Sequence, residues 1–343
     1  MGIVGLFRKS VAKFGRPAPF EPQPFEPQSF DPELFDPVSS FEPQPFEPQS
    51  FEPQPFEPQS FEPQSFEPEW ERDGYVILRG VLEPSACGAL GEVLGEAWRY
   101  GHPDQLVVDS TTGRSRKLEA GDARRLTRAV DTHVHYPEAR ELLANPVVTG
   151  RLREIFGADP LYFQTLVFEL GSEQGLHQDT SFVVVDDPMA MVGVWIALED
   201  VQAGSGELRY VPGSHRLELY EFAPGRRHFD SSIDPASLHE AYYPLITQRC
   251  ADQGLAEQRF LARKGDVLIW SADLVHGGSP IVDATLTRRS LVAHACPVTA
   301  NPHFFSYLPG NRTLVPLESV AAEGSSFYAS QYHVLDSAGL IVG

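Results

Sequence analysis

The chain is poor in cysteine, short of bases and without long apolar runs. Its three cysteines among 343 residues, Cys87, Cys250 and Cys296, stand far apart, are odd in number and form no Cys-x-x-Cys pair. That argues against a disulfide framework or a cysteine-built zinc site and points to a reducing, cytoplasmic setting. No stretch comes near the roughly 18–20 apolar residues that cross a bilayer, so no spanning helix is expected. The apolar run "GIVGLF" precedes the nearby bases rather than following them, which is not the order of a secretory leader. Lys and Arg number 27 against 47 Asp and Glu, a net charge of −20. Phosphate backbones are held by clustered bases, so no nucleic acid partner is expected.

The few bases are also unevenly spread. Residues 1–19 carry Arg8, Lys9, Lys13 and Arg16 and no acid, whereas residues 20–69 carry twelve acids and no base. The second stretch repeats Phe-Glu-Pro-Gln-Ser/Pro. Phe stands at 20, 25, 30 and 35 and, after a one-residue slip, at 41, 46, 51, 56, 61 and 66. A proline in every unit removes a donor and fixes φ, and the acids repel one another. A disordered, polyproline-II-rich linker is therefore expected over 20–69. Its simpler use is as a spacer; the other is a multivalent docking strip with Phe as anchor. Residues 1–19 set Ile3, Phe7, Val11 and Phe14 near helical spacing among the bases. Such a segment suits weak docking on an anionic membrane or a partner protein. Residues 70–343 remain, enough for one large domain.

Within them, "WERDGYVILRG" (70–80) reads as a polar start and a short strand. Ala86, Leu90, Val93, Leu94 and Trp98 then share one helical face. "HYPEARELLANPVVTGRLREIFG" predicts two short helices, broken at Pro146 and stopped at Gly157. After that the pattern changes to short β-rich runs: "PLYFQTLVFELG", "MAMVGVWIALEDV", "GELRYVPGSH", "GDVLIWSADLVHGG" and "RRSLVAHACP". Helices followed by many short strands predict a mainly β sandwich or barrel with a helical front. The long aromatic stretch 217–258 is expected to form part of a lid.

"HQDTSF" places His177 and Asp179 one residue apart. On a strand, residues i and i+2 face the same side, so both can reach one metal. A third corner from a distant strand would complete a facial triad of two histidines and one carboxylate, which leaves coordination positions open. His276 is the candidate. It follows the apolar run "DVLIWSADLV" and precedes Gly277 and Gly278, which suit a tight turn over a metal. Twelve residues later come Arg288 and Arg289. Alternation puts Arg288, Ser290, Val292 and His294 on one face and Arg289, Leu291 and Ala293 on the other. One arginine can thus face inward and grip a carboxylate with its fork. His133 and His135 repeat the i, i+2 pattern as a competing pair, but without an adjacent carboxylate of the same form; a structural or substrate-facing role suits them better. His215 in "PGSHR" reads as a turn-stabilising residue.

Taken in order, "HQDTSF" (177–182), "GVWIALED" (193–200), "GSGELRYVPGSHR" (204–216), "KGDVLIWSADLVHGGS" (264–279) and "RRSLVAH" (288–294) resemble the phytanoyl-CoA dioxygenase family of Fe(II)/2-oxoglutarate-dependent oxygenases. "ERDGYVILRGVL" (71–82) resembles the opening of that family, and the likeness covers roughly residues 70–335. The resemblance implies a double-stranded β-helix (jelly roll, cupin-like) with flanking N-terminal helices. It implies Fe(II) held by the catalytic residues His177, Asp179 and His276. Arg288, with Arg289 as its rival, would hold the far carboxylate of 2-oxoglutarate; Trp195 would line the co-substrate pocket and Gln164 would lie near it. With O2 as the third reactant, such an enzyme hydroxylates an aliphatic C–H bond of a small molecule and releases succinate and CO2. An intact Asp179 favours hydroxylation over halogenation. Gly278 departs from members that place a serine there, and the loop after His276 lacks their asparagine. The acidic charge points away from a CoA ester and toward a lipid-, sugar- or natural-product-like metabolite. The alternative is a non-catalytic metal-binding jelly roll tethered to an assembly through its repeat.

Overall fold

In a computed structural model the chain divides into two units, Met1–Ser60 and Phe61–Gly343. The residues described are 67–109, 115–122, 127–185, 190–230, 233–300, 302–304, 314–316 and 325–330, all in the second unit. The basic segment and all but the end of the repeat lie outside them.

The order begins with α1 (Glu67–Asp73), β1 (Tyr75–Leu78), α2 (Pro84–Tyr100), β2 (His102–Asp109), β3 (Ser115–Leu118) and β4 (Thr127–Val130). Three helices follow, α3 (Thr132–His135), α4 (Pro137–Leu143) and α5 (Pro146–Phe156). Next come β5 (Pro160–Phe168), β6 (Val183–Val185), β7 (Val192–Ala197) and β8 (Leu208–Tyr210), then α6 (Ala236–Asp252). The remaining strands are β9 (Gln258–Phe260), β10 (Val267–Ser271), β11 (His276–Gly278), β12 (Ser290–Pro297), β13 (Pro302–Phe304), β14 (Leu314–Pro316) and β15 (Ser326–Ser330). The main sheet runs β1-β10-β7-β12-β5-β4-β2-β3, antiparallel throughout, with β15 added in parallel to β5. Smaller sheets join β11-β8-β9 and β13-β6.

Strands β7, β10 and β12 are buried along their whole length. Both faces are covered, so their sequences lack the polar alternation of a half-exposed strand. Alternation survives in what each face touches. Val192, Val194, Ile196, Val267, Ile269, Leu291 and Ala293 join Leu90, Leu94 and Trp98 of α2 and Leu142 and Leu152 of α4 and α5 in one core. Trp195, Leu268, Trp270 and Val292 turn the other way and pack with Tyr210 and Phe260. Each large side chain so buried contributes about 1.5–3 kcal/mol. The helices end as the sequence predicts. The Asn145 side chain accepts from the Val147 and Val148 amides, Pro146 opens α5, and Gly157 stops it at a φ of 65°.

Two features depart from the sequence reading. Strands β2, β3 and β4 come before α3–α5 and widen the main sheet. In β2 only Gln105 to Val108 are buried, and its outer half is polar, so its pattern is too short to stand out. The stretch 217–258 contains the 17-residue α6. That helix holds Pro244 and buries only Tyr242, Ile246 and Cys250, which leaves a faint apolar period.

Candidate metal centre

His177 and His276 are cross-strand neighbours. Each backbone N–H donates to the other's carbonyl at 2.9 Å, and the ring centroids lie 4.5 Å apart. Asp179 is not on a continuous strand, as the i, i+2 argument supposed. Gln178 is extended (φ −106°, ψ 137°) and Asp179 opens a short 3-10 turn ending at Ser181. One extended residue suffices to bring both side chains to the same side. Ligand atoms of His177, Asp179 and His276 lie within 4.8 Å of one another, and all three residues are 5 % exposed. Gly277 and Gly278 belong to β11 rather than to a turn. A Cβ on Gly277 would stand 2.7 Å from the Gln174 carbonyl, and one on Gly278 2.6 Å from Ser172 Oγ. Both glycines let the segment before His177 run directly against the strand.

The rings are aimed by their other nitrogens. His177 Nδ1 meets the Gly175 carbonyl at 2.8 Å and His276 Nδ1 the Leu274 carbonyl at 2.9 Å. A proton on each Nδ1 leaves the Nε2 lone pairs facing Asp179 Oδ1, at 3.8 and 3.5 Å. Burial, with His276 beside it, lowers the His177 pKa to about 3, so the ring is neutral at physiological pH. Burial alone would raise Asp179, but His276, His294 and His177 outweigh it and hold the carboxyl well below the usual carboxylate range. Asp179 Oδ2 accepts from Trp270 Nε1 at 2.7 Å. Gly193, opposite Trp270 in the register, makes room for that indole: a Cβ there would stand 2.2 Å from Trp270 Cε2. Gly193→Ala is accordingly expected to cost about 1–3 kcal/mol by overpacking. It should also push the indole off Asp179, which urea unfolding and the tryptophan emission spectrum will report.

The triad opens into a cavity of about 450 Å³, mouth included, lined also by Phe168, Trp195, Leu208, Val292 and Arg288. Arg288 is 2 % exposed and makes no ion pair among the described residues; its Nε has no hydrogen-bond partner there. It lies between the rings of Phe168 and Trp195, at 5.3 and 5.9 Å. Burial lowers its pKa from 12.5 to about 10, against the pull of Glu199 and Glu207. Among the described residues the buried Trp195 Nε1 also lacks a partner. Arg289 faces away, 2.7 Å from Glu169 and 3.9 Å from Glu199. Strand alternation thus separates the two arginines. Two imidazoles and a carboxylate with open positions suit Fe(II). A buried guanidinium without a counter-ion, beside an unpartnered indole N–H, suits a carboxylate ligand.

The other sequence candidates fall elsewhere. Gln164 does not line the cavity; its Oε1 lies 2.7 Å from His294 Nδ1. His294 Nε2 in turn lies 3.5 Å from Asp179 Oδ1. The sequence placed His294 on the face of Arg288 but gave it no role. Trp270 was likewise hidden inside an apolar run. His133 is fully buried in α3 with its Nδ1 3.0 Å from Thr165 Oγ1, a structural place. His215 Nε2 reaches the Glu71 carbonyl at 3.1 Å and so ties its turn to α1.

The profile described as phytanoyl-CoA dioxygenase (PhyH) matches residues 70–290, which hold the triad and Arg288. Phytanoyl-CoA dioxygenase domain-containing protein 1 of Mus musculus is 29% identical over 129 residues, 34% of this chain and 44% of that protein. The ectoine dioxygenase of Nocardia farcinica is 23% identical over 218 residues, 61% of this chain and 70% of that protein. The match thus spans less than half of the mouse relative. Among solved structures, the non-heme alpha-ketoglutarate-dependent carbocyclase SnoK from nogalamycin biosynthesis superposes with a TM-score of 0.50 at 20% identity. It covers 69% of this chain and 84% of that one, so the fold is shared. With the profile covering more than half of its residues, the chain belongs to the phytanoyl-CoA dioxygenase family.

Proposed function

We propose that the protein is an Fe(II)- and 2-oxoglutarate-dependent dioxygenase that hydroxylates an aliphatic C–H bond of a small lipid-, sugar- or natural-product-like metabolite. The observation that carries this is Arg288. A site that held a metal for stability alone has no use for a buried, unpaired cation on the same cavity wall. His177, Asp179 and His276 would hold the iron, and Arg288, with the Trp195 N–H near it, the far carboxylate of 2-oxoglutarate. When bound, the iron and 2-oxoglutarate supply O2 activation and C–H oxidation, with succinate and CO2 released. The chain supplies position and dryness. Carbonyls at Gly175 and Leu274 keep the histidine lone pairs on target, and Trp270 occupies one oxygen of Asp179 so that the other is presented. Phe168, Leu208 and Val292 exclude water from the guanidinium, which strengthens its hold on a carboxylate.

The stretch between β8 and α6 is tied to the turn that carries Asp179. Arg227 pairs with Asp273 and reaches Thr180 Oγ1 at 3.2 Å, while the Phe229 N–H donates to the Ser181 carbonyl at 2.9 Å. A lid in this position would read the substrate. In this reading residues 70–343 form the catalytic domain, 20–69 a spacer and 1–19 a weak docking segment, all in the cytoplasm. Among the described residues no helix is long and apolar enough to cross a membrane.

The test is anaerobic addition of Fe(II) and 2-oxoglutarate, followed by a metabolite screen scored by succinate. A weak visible charge-transfer band is expected in the wild type and none in His177→Ala, with Asp179→Ala as the blank in the screen. An iron-loaded wild type without the band would sink the proposal.

A further inference from the structure

His294 stands on the inner face of β12, lines the cavity of the triad and is 4 % exposed. Its Nε2 lies 3.5 Å from Asp179 Oδ1, as far as His276 Nε2 lies from the same atom. Its Nδ1 meets the Gln164 amide at 2.7 Å. A bulge in β5, where Gln164 pairs with His294 and Tyr162 with Ala295, leaves Phe163 extra, and the Phe163 ring stacks on His294 at 6.2 Å. The imidazole is therefore held by Gln164, Phe163 and Asp179. It is not among the ligand atoms that lie within 4.8 Å of one another, so its place is beside the centre and not in it.

We propose that His294 is a positioning residue that donates from Nε2 to Asp179 Oδ1, and that Gln164 selects the tautomer which lets it do so. This rests on the triad being a metal centre. The carboxylate then has a donor on each oxygen, Trp270 on Oδ2 and His294 on Oδ1, so its plane is fixed and a lone pair of Oδ1 stays open for the metal. A neutral imidazole donates at one nitrogen and accepts at the other. With the proton on Nε2, Nδ1 needs a donor. The Gln164 amide supplies one, since a half-turn exchanges its oxygen for its NH2 in nearly the same place. A carboxylate at position 164 accepts only. It would hold the ring as an imidazolium that donates from both nitrogens, so Gln164→Glu leaves the Nε2 donor in place, whereas Gln164→Leu takes away the group that sets the tautomer.

Co(II) is the probe, because its visible bands report ligand geometry without turnover. Wild type, His177→Ala, His294→Ala, His294→Asn, Gln164→Leu and Gln164→Glu are titrated by calorimetry and absorption, after thermal melts confirm that each metal-free form folds. His294→Ala should bind Co(II) on the order of 10–100-fold more weakly, the usual effect of losing a partner behind a ligand, and shift the visible bands. His294→Asn, whose amide NH2 can still donate, should recover part of both. Gln164→Leu should weaken binding in the same direction, and Gln164→Glu should not. If wild type binds Co(II), His177→Ala does not, and His294→Ala matches wild type in affinity and bands, the inference falls and the metal centre stands. Should His294→Ala fail to fold, His294→Phe, which keeps the ring and loses the donor, takes its place, and wild-type affinity and bands in it overturn the inference equally. A wild type that binds no Co(II) sinks the metal centre and this inference together.

Discussion

Replacing Arg288 with methionine should make the protein more stable without its co-substrate, and blind to 2-oxoglutarate. The guanidinium is fully buried, unpaired among the described residues, and has its pKa lowered from 12.5 to about 10. A cation whose folded pKa lies below its unfolded value opposes folding at every pH below the folded pKa. The penalty fades only as pH rises from about 10 toward 12.5, so at neutral pH it is felt in full. A shift of that size corresponds to roughly 3 kcal/mol. The rings of Phe168 and Trp195 return about 0.5–2 kcal/mol of it through their faces. Arg288→Met should therefore gain about 1–2.5 kcal/mol in urea unfolding, the balance of those two effects. Wild type, loaded with metal, should gain stability on adding 2-oxoglutarate by mass action, and the variant should not. Arg288→Lys keeps the charge but loses the fork, and its KM for 2-oxoglutarate should rise on the order of 100-fold. A methionine variant that is no more stable, or that still responds to 2-oxoglutarate, removes Arg288 from the site.

Which arginine faces inward was half legible. The alternation of "RRSLVAH" separated Arg288 from Arg289, but a period of two says only that they face opposite ways. What settles the direction is packing: Leu291 and Ala293 meet the α2 core, so Arg288 and His294 must face the cavity. The spacing of His177, Asp179 and His276 was legible because ligand chemistry restricts residue type. Their aim was not, because it depends on carbonyls of Gly175 and Leu274, which no side-chain pattern encodes. Trp270 and Gly193 were hidden for a related reason. An indole that fills a core and one that holds a carboxylate are the same letter, and the glycine opposite it reads as an ordinary weak point in a strand. Gln164 was placed near the site by resemblance. Only the bulge in β5 and the ring of His294 put it one residue away from the cavity.

Asp179→Ala should have the opposite sign from Arg288→Met. Asp179 is also buried, but its folded pKa is depressed, so it stabilises the folded state at neutral pH and loses that contribution only as pH falls below the unfolded carboxylate value of 3.8. Removing it leaves the Trp270 Nε1 donor buried without an acceptor, which costs about 1–3 kcal/mol. The metal-free variant should unfold earlier in urea, and that difference should shrink in acid as the wild-type carboxylate is protonated. Metal binding should also fail. With one of three ligands gone and the two imidazoles left, Co(II) affinity should drop by more than the roughly 10–100-fold that follows loss of a partner behind a ligand. His276→Ala should lose the metal as well but keep the Trp270–Asp179 bond, so its stability loss at neutral pH should be smaller than that of Asp179→Ala. The pair of variants separates two properties that activity alone would merge. Asp179 is an anion bonded to Trp270 in the candidate centre, while Arg288 across the cavity is a buried cation without an ion pair among the described residues. If Asp179→Ala were as stable as wild type at neutral pH, or bound Co(II) equally well, the carboxylate would not be the preformed corner of the centre.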